Sequence, residues 1–354
     1  MITIPVKCSA DYNVLVGKGI LDNAASLISE QTGGQGGKVC VFSDSNVSRL
    51  GYTDRLIENL SRGGISAVGK TFPAGEQSKT FATAATLVDF LAENHFTRTD
   101  TVVALGGGVT GDLSGFVSGI YLRGINYIGI PTTVLAAVDS SVGGKTGVDI
   151  PAGKNLAGVF HQPKLVLSDP EVFSTLSVYD YNSGVAEAIK YGIIGDRGLF
   201  SEFSGGGKLT EQQIAACIKA KADIVGRDEF ESGERRLLNL GHTIGHALET
   251  LSEYKLPHGY AVAAGTGAIA AAFDLPELAE LQSAFRAYSL PASIEEAEDF
   301  CKMKFPAEDI YNAALSDKKR SSDNITLVRP VSIGECNLVT VCVGDFLKLL
   351  RKIR

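Results

Sequence analysis

Thr101-Val102-Val103-Ala104-Leu105-Gly106-Gly107-Gly108-Val109-Thr110-Gly111-Asp112 is the stretch that decides the fold. Its first half is a short apolar run rich in valine, the pattern of a strand buried on both faces of a parallel sheet. It runs directly into a literal G-x-G-x-x-G at Gly106, Gly108 and Gly111. Glycines there let the backbone approach a pyrophosphate, and the amides that open the following helix add donors and a favourable dipole. The same turn also suits plain packing of a helix on a sheet, and the acidic residue usual about twenty positions on is absent. Asp44, closing the earlier apolar run 38–43, can bind a ribose instead, which makes a dinucleotide site of nonstandard order.

Working outward, strands are expected at 2–7, 12–17, 38–43, 65–70, 101–105 and 126–130, with helices at about 46–61 and 79–94. This alternation predicts an α/β domain with a mainly parallel, Rossmann-like sheet and helices on both faces. From about Val178 the apolar spacing turns helical, at 182–194, 211–225, 236–252, 259–273 and 276–288. Strands return only at 325–328 and 338–343, as a hairpin. A chain of 354 residues is long for one core, so we expect an α/β domain over 1–176 and a mostly α-helical domain over 177–354.

With 44% hydrophobic and 21% charged residues and a net charge of -7, the composition is that of a soluble globular protein. It argues against a nucleic-acid surface, while leaving room for local cationic clusters that grip a small anion. The six cysteines form no CxxC pair, which points to a reducing compartment and away from a thiolate zinc site. The start of the chain, 1–7, alternates rather than pairing a charged segment with an apolar one, and the longest apolar run, 261–273, is too short for a bilayer. The expectation is a cytoplasmic protein with neither membrane nor nucleic-acid partners.

Three of the five histidines lie close together, in Leu240-Gly241-His242-Thr243-Ile244-Gly245-His246 and Pro257-His258-Gly259. Residues four apart share a helix face, so His242 and His246 can point into one pocket as paired metal ligands. Two partly buried helix histidines satisfy the same spacing; the third histidine and acidic groups elsewhere tip the reading toward a metal. Gly143-Gly144-Lys145-Thr146 is like the end of a P-loop, but Asp139 stands where the first glycine belongs, which argues against a nucleoside triphosphatase. Lys145, Lys154 and Asn155 still form a group suited to a phosphorylated ligand.

Taken together, PAGEQSK (Pro73 to Lys79), GGGVTGD (Gly106 to Asp112), YLRG (Tyr121 to Gly124), PTTVLAAVDSSVGGKTGVD (Pro131 to Asp149), GKN (Gly153 to Asn155), SGVAEAIKYGII (Ser183 to Ile194), the segment Lys221 to Glu249, the HG at His258 and the DKK at Asp317 resemble the 3-dehydroquinate synthase family, within the sugar phosphate cyclases. The resemblance implies one divalent metal, zinc or alternatively cobalt, held by Glu187, His242 and His258, with His246 an acid/base beside it rather than a ligand. It implies NAD bound by Asp44, Asn46, Glu76, Lys79, Gly107, Gly108, Asp112, Thr132, Thr133, Lys154 and Thr175. Substrate contacts would be Arg123, Asp139, Lys145, Asn155, Lys221, Arg235, Asn239 and one of Lys318 and Lys319, with Glu231, His246 and Lys190 in catalytic roles.

The family's substrate is 3-deoxy-D-arabino-heptulosonate 7-phosphate. Lys221 and Arg235 suit its carboxylate; Lys145, Asn155, Arg123 and the lysine pair suit its phosphate. The implied reaction is oxidation at C5 by NAD, elimination of phosphate, return of the hydride, and ring opening with aldol closure to 3-dehydroquinate, so that NAD is not consumed. In the family the YLRG arginine crosses a subunit interface, which implies a homodimer. Related cyclases that make 2-deoxy-scyllo-inosose or 2-epi-5-epi-valiolone act on substrates without a carboxylate, and Lys221, Arg235 and Asn239 argue against them. A polyol dehydrogenase would release NADH, and a non-catalytic relative would show a damaged site, whereas Glu187, His242, His246 and His258 are all present. The chain departs from the pattern at Ala74, Glu234, Tyr260 and Thr266.

Overall fold

In the computed structural model, which describes residues 1–31, 37–316 and 323–353, the chain groups into two compact units. One comprises Met1–Leu176 with Lys221–Gly226, the other Ser177–Ala220 with Arg227–Arg354.

The first unit is built on strands β1 (Ile2–Val6), β2 (Tyr12–Val16), β3 (Val39–Asp44), β4 (Ala67–Phe72), β5 (Thr101–Gly106), β6 (Asn126–Pro131) and, after a hairpin of β7 (Lys145–Ile150) and β8 (Gly153–Phe160), β9 (Leu165–Ser168). Seven of these make one sheet in the order β1-β2-β9-β6-β5-β3-β4. All its pairs are parallel except β1 on β2. Its helices are α1 (Ala24–Gln31), α2 (Ser45–Arg49), α3 (Tyr52–Arg62), α4 (Phe81–Glu93) and α5 (Gly108–Ile120). Phe42, Leu87, Leu91, Val102, Leu113 and Val117 pack into a buried cluster, each such side chain contributing about 1.5–3 kcal/mol.

The single helix expected at 46–61 is two. Gly51, at φ 81°, turns the chain between α2 and α3 through the left-handed region that only glycine enters freely.

The second unit contains α6 (Val178–Gly195), α7 (Arg197–Ser201), α8 (Glu211–Arg227, whose last turns group with the first unit), α9 (His242–Leu251), α10 (His258–Ala272), α11 (Leu278–Arg286), α12 (Ile294–Cys301), α13 (Ala307–Ser316) and α14 (Val343–Lys352). The expected hairpin is present as β10 (Asn324–Ser332) and β11 (Glu335–Cys342), paired antiparallel.

The helix expected at 236–252 is corrected. A 3-10 turn occupies Glu234–Asn239, the chain reverses at Gly241 (φ 78°), and α9 starts only at His242. A Cβ at Gly241 would collide with the side chain of Thr266 and with the Val262 carbonyl, so α10 seats itself against the break. Arg235 and Asn239 are therefore not on the helix face that carries His242.

Candidate active site

In the first unit the connections reverse direction once. From β3 the chain moves to β4 on one side, then returns to β5 on the other side of β3 and continues to β6. Ligands of open parallel sheets bind outside the carboxyl ends of the strands at such a reversal. Asp44 closes β3 there, and Gly106–Gly108 close β5 and open α5. Asp44 caps α2, accepting from the amides of Asn46 at 2.8 Å and Val47 at 3.2 Å, and its other oxygen accepts from Thr110 Oγ1 at 3.2 Å. A Cβ at Gly107 would stand 3.2 Å from Thr133 Cγ2. The bare backbone of this turn, at the start of a 13-residue helix, is the kind of cradle a pyrophosphate needs.

Other residues proposed for NAD fall at neighbouring strand ends: Glu76 and Lys79 after β4, Asp112 on the first turns of α5, Thr132 and Thr133 after β6. Lys79 is buried, pairs with Asp112 at 2.5 Å and donates to Asn155 Oδ1. Burial is the largest single influence and opposes its charge, but Asp112, Glu76 and Asp149 together raise the ammonium above its usual range. Burial in turn pushes Asp112 up despite the lysine. Lys154, on β8, lies 3.9 Å from Glu76. Thr175 closes a 3-10 turn after β9, its hydroxyl donating to Val172 O at 2.9 Å.

Lys221 joins Asp139 at 2.8 Å. Arg123 stands apart: it is exposed, follows the far end of α5 and lies about 20 Å from Gly108 at 1.5 Å per residue.

The second unit brings three donors together (a candidate metal centre). Glu187 comes from the middle of α6, His242 opens α9 and His258 opens α10. Close helix contact makes this convergence possible, because a Cβ at Gly259 would overlap the Ser183 backbone of α6, while the Gly259 amide donates to Ser183 Oγ at 2.8 Å. Glu187 is fully buried. Its Oε1 lies 3.6 Å from His242 Nε2 and 3.4 Å from His258 Nε2. Those spacings are near the edge of a tetrahedron around an ion with bonds of about 2.0–2.1 Å, which is about 3.3 Å.

Each imidazole is turned by its other nitrogen. His242 Nδ1 donates to Leu240 O at 3.0 Å and His258 Nδ1 to Glu249 Oε1 at 2.5 Å, leaving both Nε2 atoms aimed at the carboxylate. Two imidazoles and one carboxylate are the donor set of a catalytic zinc site with open positions. The residues therefore fit a divalent metal.

The charges around this cluster are ordered. Lys190, one turn beyond Glu187 and 1% exposed, makes an ion pair with its Oε2. Burial lowers His242 to about 3, helped by the nearby Lys190. Loss of water also works against a charge on His258, but its hydrogen bonds to Glu187 and Glu249 prevail and raise it to about 10. The His246 ring is 5.4 Å from that of His242 and 5.9 Å from that of His258, centroid to centroid.

Arg235, 2% exposed, donates to the Glu229 carbonyl. Asn239 Nδ2 donates to Glu231 Oε1 at 2.9 Å, and Glu231 holds φ 60° in the left-handed region. Lys318 and Lys319 lie outside the described residues.

Two residues here escaped sequence reasoning. Glu249 had a signal, being seven positions after His242 and three after His246 and so on the same helix face. Asp228 organises the turn that carries Glu231: it accepts from Ser232 N at 2.8 Å, Gly233 N at 2.7 Å and Arg235 N at 2.9 Å. Desolvation is the largest single influence and works the other way, but these bonds together hold its carboxyl well below the usual range.

Residues 70–183 match the family model described as 3-dehydroquinate synthase N-terminal, and residues 184–320 that described as 3-dehydroquinate synthase C-terminal. The 3-dehydroquinate synthase of Mesorhizobium japonicum is 41% identical over 360 residues, covering 96% of this chain and 93% of that protein. That of Brucella ovis is 40% identical over 369 residues, covering 98% and 96%. Among solved structures, a 2-deoxy-scyllo-inosose synthase complexed with carbaglucose-6-phosphate, NAD+ and Co2+ superposes with a TM-score of 0.86 at 25% identity, over 100% of both chains. A 2-epi-5-epi-valiolone synthase from Streptomyces hygroscopicus with NAD+ and Zn2+ gives 0.84 at 24%, over 99% of this chain and 98% of that one. With both family models matched in tandem and the relatives spanning nearly its whole length, the chain belongs to the 3-dehydroquinate synthase family.

Proposed function

We propose that this chain converts 3-deoxy-D-arabino-heptulosonate 7-phosphate to 3-dehydroquinate and phosphate, with NAD bound at the β3/β5 reversal and zinc held by Glu187, His242 and His258. The observation that carries the reading is the pair of imidazoles turned by Leu240 O and Glu249 so that both Nε2 atoms face one buried carboxylate. When bound, the metal supplies Lewis acidity to substrate hydroxyls and NAD supplies a hydride acceptor that is regenerated.

The chain's own groups do the rest. Lys190 pairs with the buried Glu187 carboxylate and offers an ammonium donor beside the proposed metal ligands. His246, on the same side of α9 as His242, handles protons, as does Glu231, whose carboxylate is steadied by Asn239; each such transfer contributes ~10²- to 10⁴-fold. Arg235 presents a desolvated guanidinium for the substrate carboxylate.

In the first unit Asp44 takes a ribose hydroxyl, the Gly107 and Gly108 amides take the pyrophosphate, and Lys145, Asn155 and Lys221 are the anion contacts. Arg123, exposed beside the exposed Ile120 and Leu122, serves a second copy of the chain in a homodimer. Six free thiols suit a reducing, cytoplasmic setting.

The test is phosphate release from the heptulosonate phosphate with catalytic amounts of NAD and one equivalent of zinc. Turnover without net NADH supports the reading. No release, with turnover of glucose 6-phosphate or sedoheptulose 7-phosphate instead, overturns it in favour of a related cyclase.

A further inference from the structure

We infer that Glu249 is a positioning residue of the metal centre: it acts through His258, setting the ring's orientation and raising its donor strength, and so sets how tightly the ion is held. The inference rests on the proposed ligand set of Glu187, His242 and His258.

Glu249 lies near the end of α9, two turns beyond His242, with its residue 8% exposed. A carboxylate that far out of water is costly unless it is paired. Its partner is His258, whose Nδ1 donates to Oε1 at 2.5 Å, a close imidazole–carboxylate contact of the charge-assisted kind that is stronger than a bond between neutral groups. His258 needs such help more than His242 does. The His242 ring is aimed by Leu240 O, a backbone group two residues away in its own chain segment. His258 is the first residue of α10 and follows Pro257, and the hydrogen bond that turns its ring comes from another helix. Without Glu249, the hydrogen bond that directs Nε2 toward Glu187 is gone.

Because the carboxylate is negative, it also polarises the imidazole and makes Nε2 a stronger donor. Carboxylates placed behind metal-bound histidines typically change metal affinity by about 10- to 100-fold. Glu249 can also reach His246: one oxygen lies within 4.8 Å of a nitrogen of each of His246 and His258. The 2.5 Å bond assigns it to His258.

The experiment measures zinc affinity of the full-length protein by competition with a chromophoric chelator, at fixed pH and without substrate or NAD. Glu249→Gln keeps the size and a neutral acceptor, while Glu249→Ala removes both. The expected order is parent, then Gln, then Ala, with Ala weaker by about 10- to 100-fold. The same Glu249→Gln change is then made in a His258→Ala background. If Glu249 acts through His258, it costs less than twofold there, since the group it orients is gone. Should Glu249→Ala fail to fold, the isosteric Gln variant and its cycle carry the test. Zinc held equally tightly by parent and Gln variant overturns the inference, and so does an undiminished loss in the His258→Ala background. A parent chain that binds no zinc would instead overturn the ligand set itself.

Discussion

Lys190→Met removes an ammonium from a place where water cannot replace it. Lys190 is 1% exposed and its partner Glu187 is not exposed at all. Breaking one side of such a pair typically costs about 3–5 kcal/mol, because the remaining charge stays buried. Here His258, raised to about 10 and 3.4 Å from Glu187, leaves one cation on the carboxylate at neutral pH. The loss should therefore fall at the lower end, about 3 kcal/mol, or about 6–12 °C in the melting temperature of a unit this size.

A divalent ion on the same carboxylate changes the balance, since it returns the missing positive charge. With saturating zinc the melting gap between variant and parent should shrink to half or less. By linkage, a shrinkage of about 1.4 kcal/mol means that the variant binds zinc about tenfold more tightly than the parent. Thermal unfolding with and without zinc, together with chelator competition at one pH, measures both quantities. An equal gap in the two conditions, with zinc affinity unchanged or weaker in the variant, would refute the assignment of Glu187 as a ligand that Lys190 compensates in the metal-free protein.

Zinc binding should release close to one proton at pH 7.5, because His258 (about 10) is charged in the metal-free chain and His242 (about 3) is not. Affinity should then rise about tenfold per pH unit up to about pH 10 and level off; calorimetry in two buffers of different ionisation heat counts the protons, and zero or two would contradict this charge pattern. Asp44→Asn keeps the cap on α2, since asparagine caps as well as aspartate, yet should weaken NAD binding about 10- to 100-fold by removing a charged acceptor. Unchanged NAD affinity by calorimetry would put the ribose elsewhere. Gly259→Ala forces a methyl onto the Ser183 backbone and should cost about 3 kcal/mol or more, with metal lost from the purified protein; normal zinc content and melting would show that α6 and α10 need not touch there.

What could be read in the sequence followed from local physics. The buried runs of β3 and β5 are continuous in valine and other apolar residues, and the glycine cluster after β5 marks the turn. The β7–β8 hairpin was missed for an equally physical reason. Gly147 and Gly158 face each other so closely that a Cβ at Gly147 would sit 2.7 Å from Ala157 O, and a strand that needs glycines for close approach has the composition of a loop. The departures at Glu234 and Tyr260 resolve in the same way once neighbours are known: Glu234 pairs with Arg227 at 2.7 Å, and Tyr260 is buried 5.1 Å, ring to ring, from Phe300.

The histidine segment shows where local reading stops. Spacing of i and i+4 puts His242 and His246 on one face, and nothing within α9 says which of them meets a carboxylate. That is decided by long-range helix contacts: Gly259 against Ser183 joins the start of α10 to α6, while Gly241 against Thr266 and Gly245 against Ala261 lay α10 along α9. His242 then faces Glu187, while His246 and Glu249 lie one and two turns further on. On the proposed reading the same helix face supplies a ligand, an acid/base and the carboxylate that turns His258, in that order along 8 residues, 242–249. The periodicity marks all three as sharing a face, and only the approach of the neighbouring helices divides the labour among them.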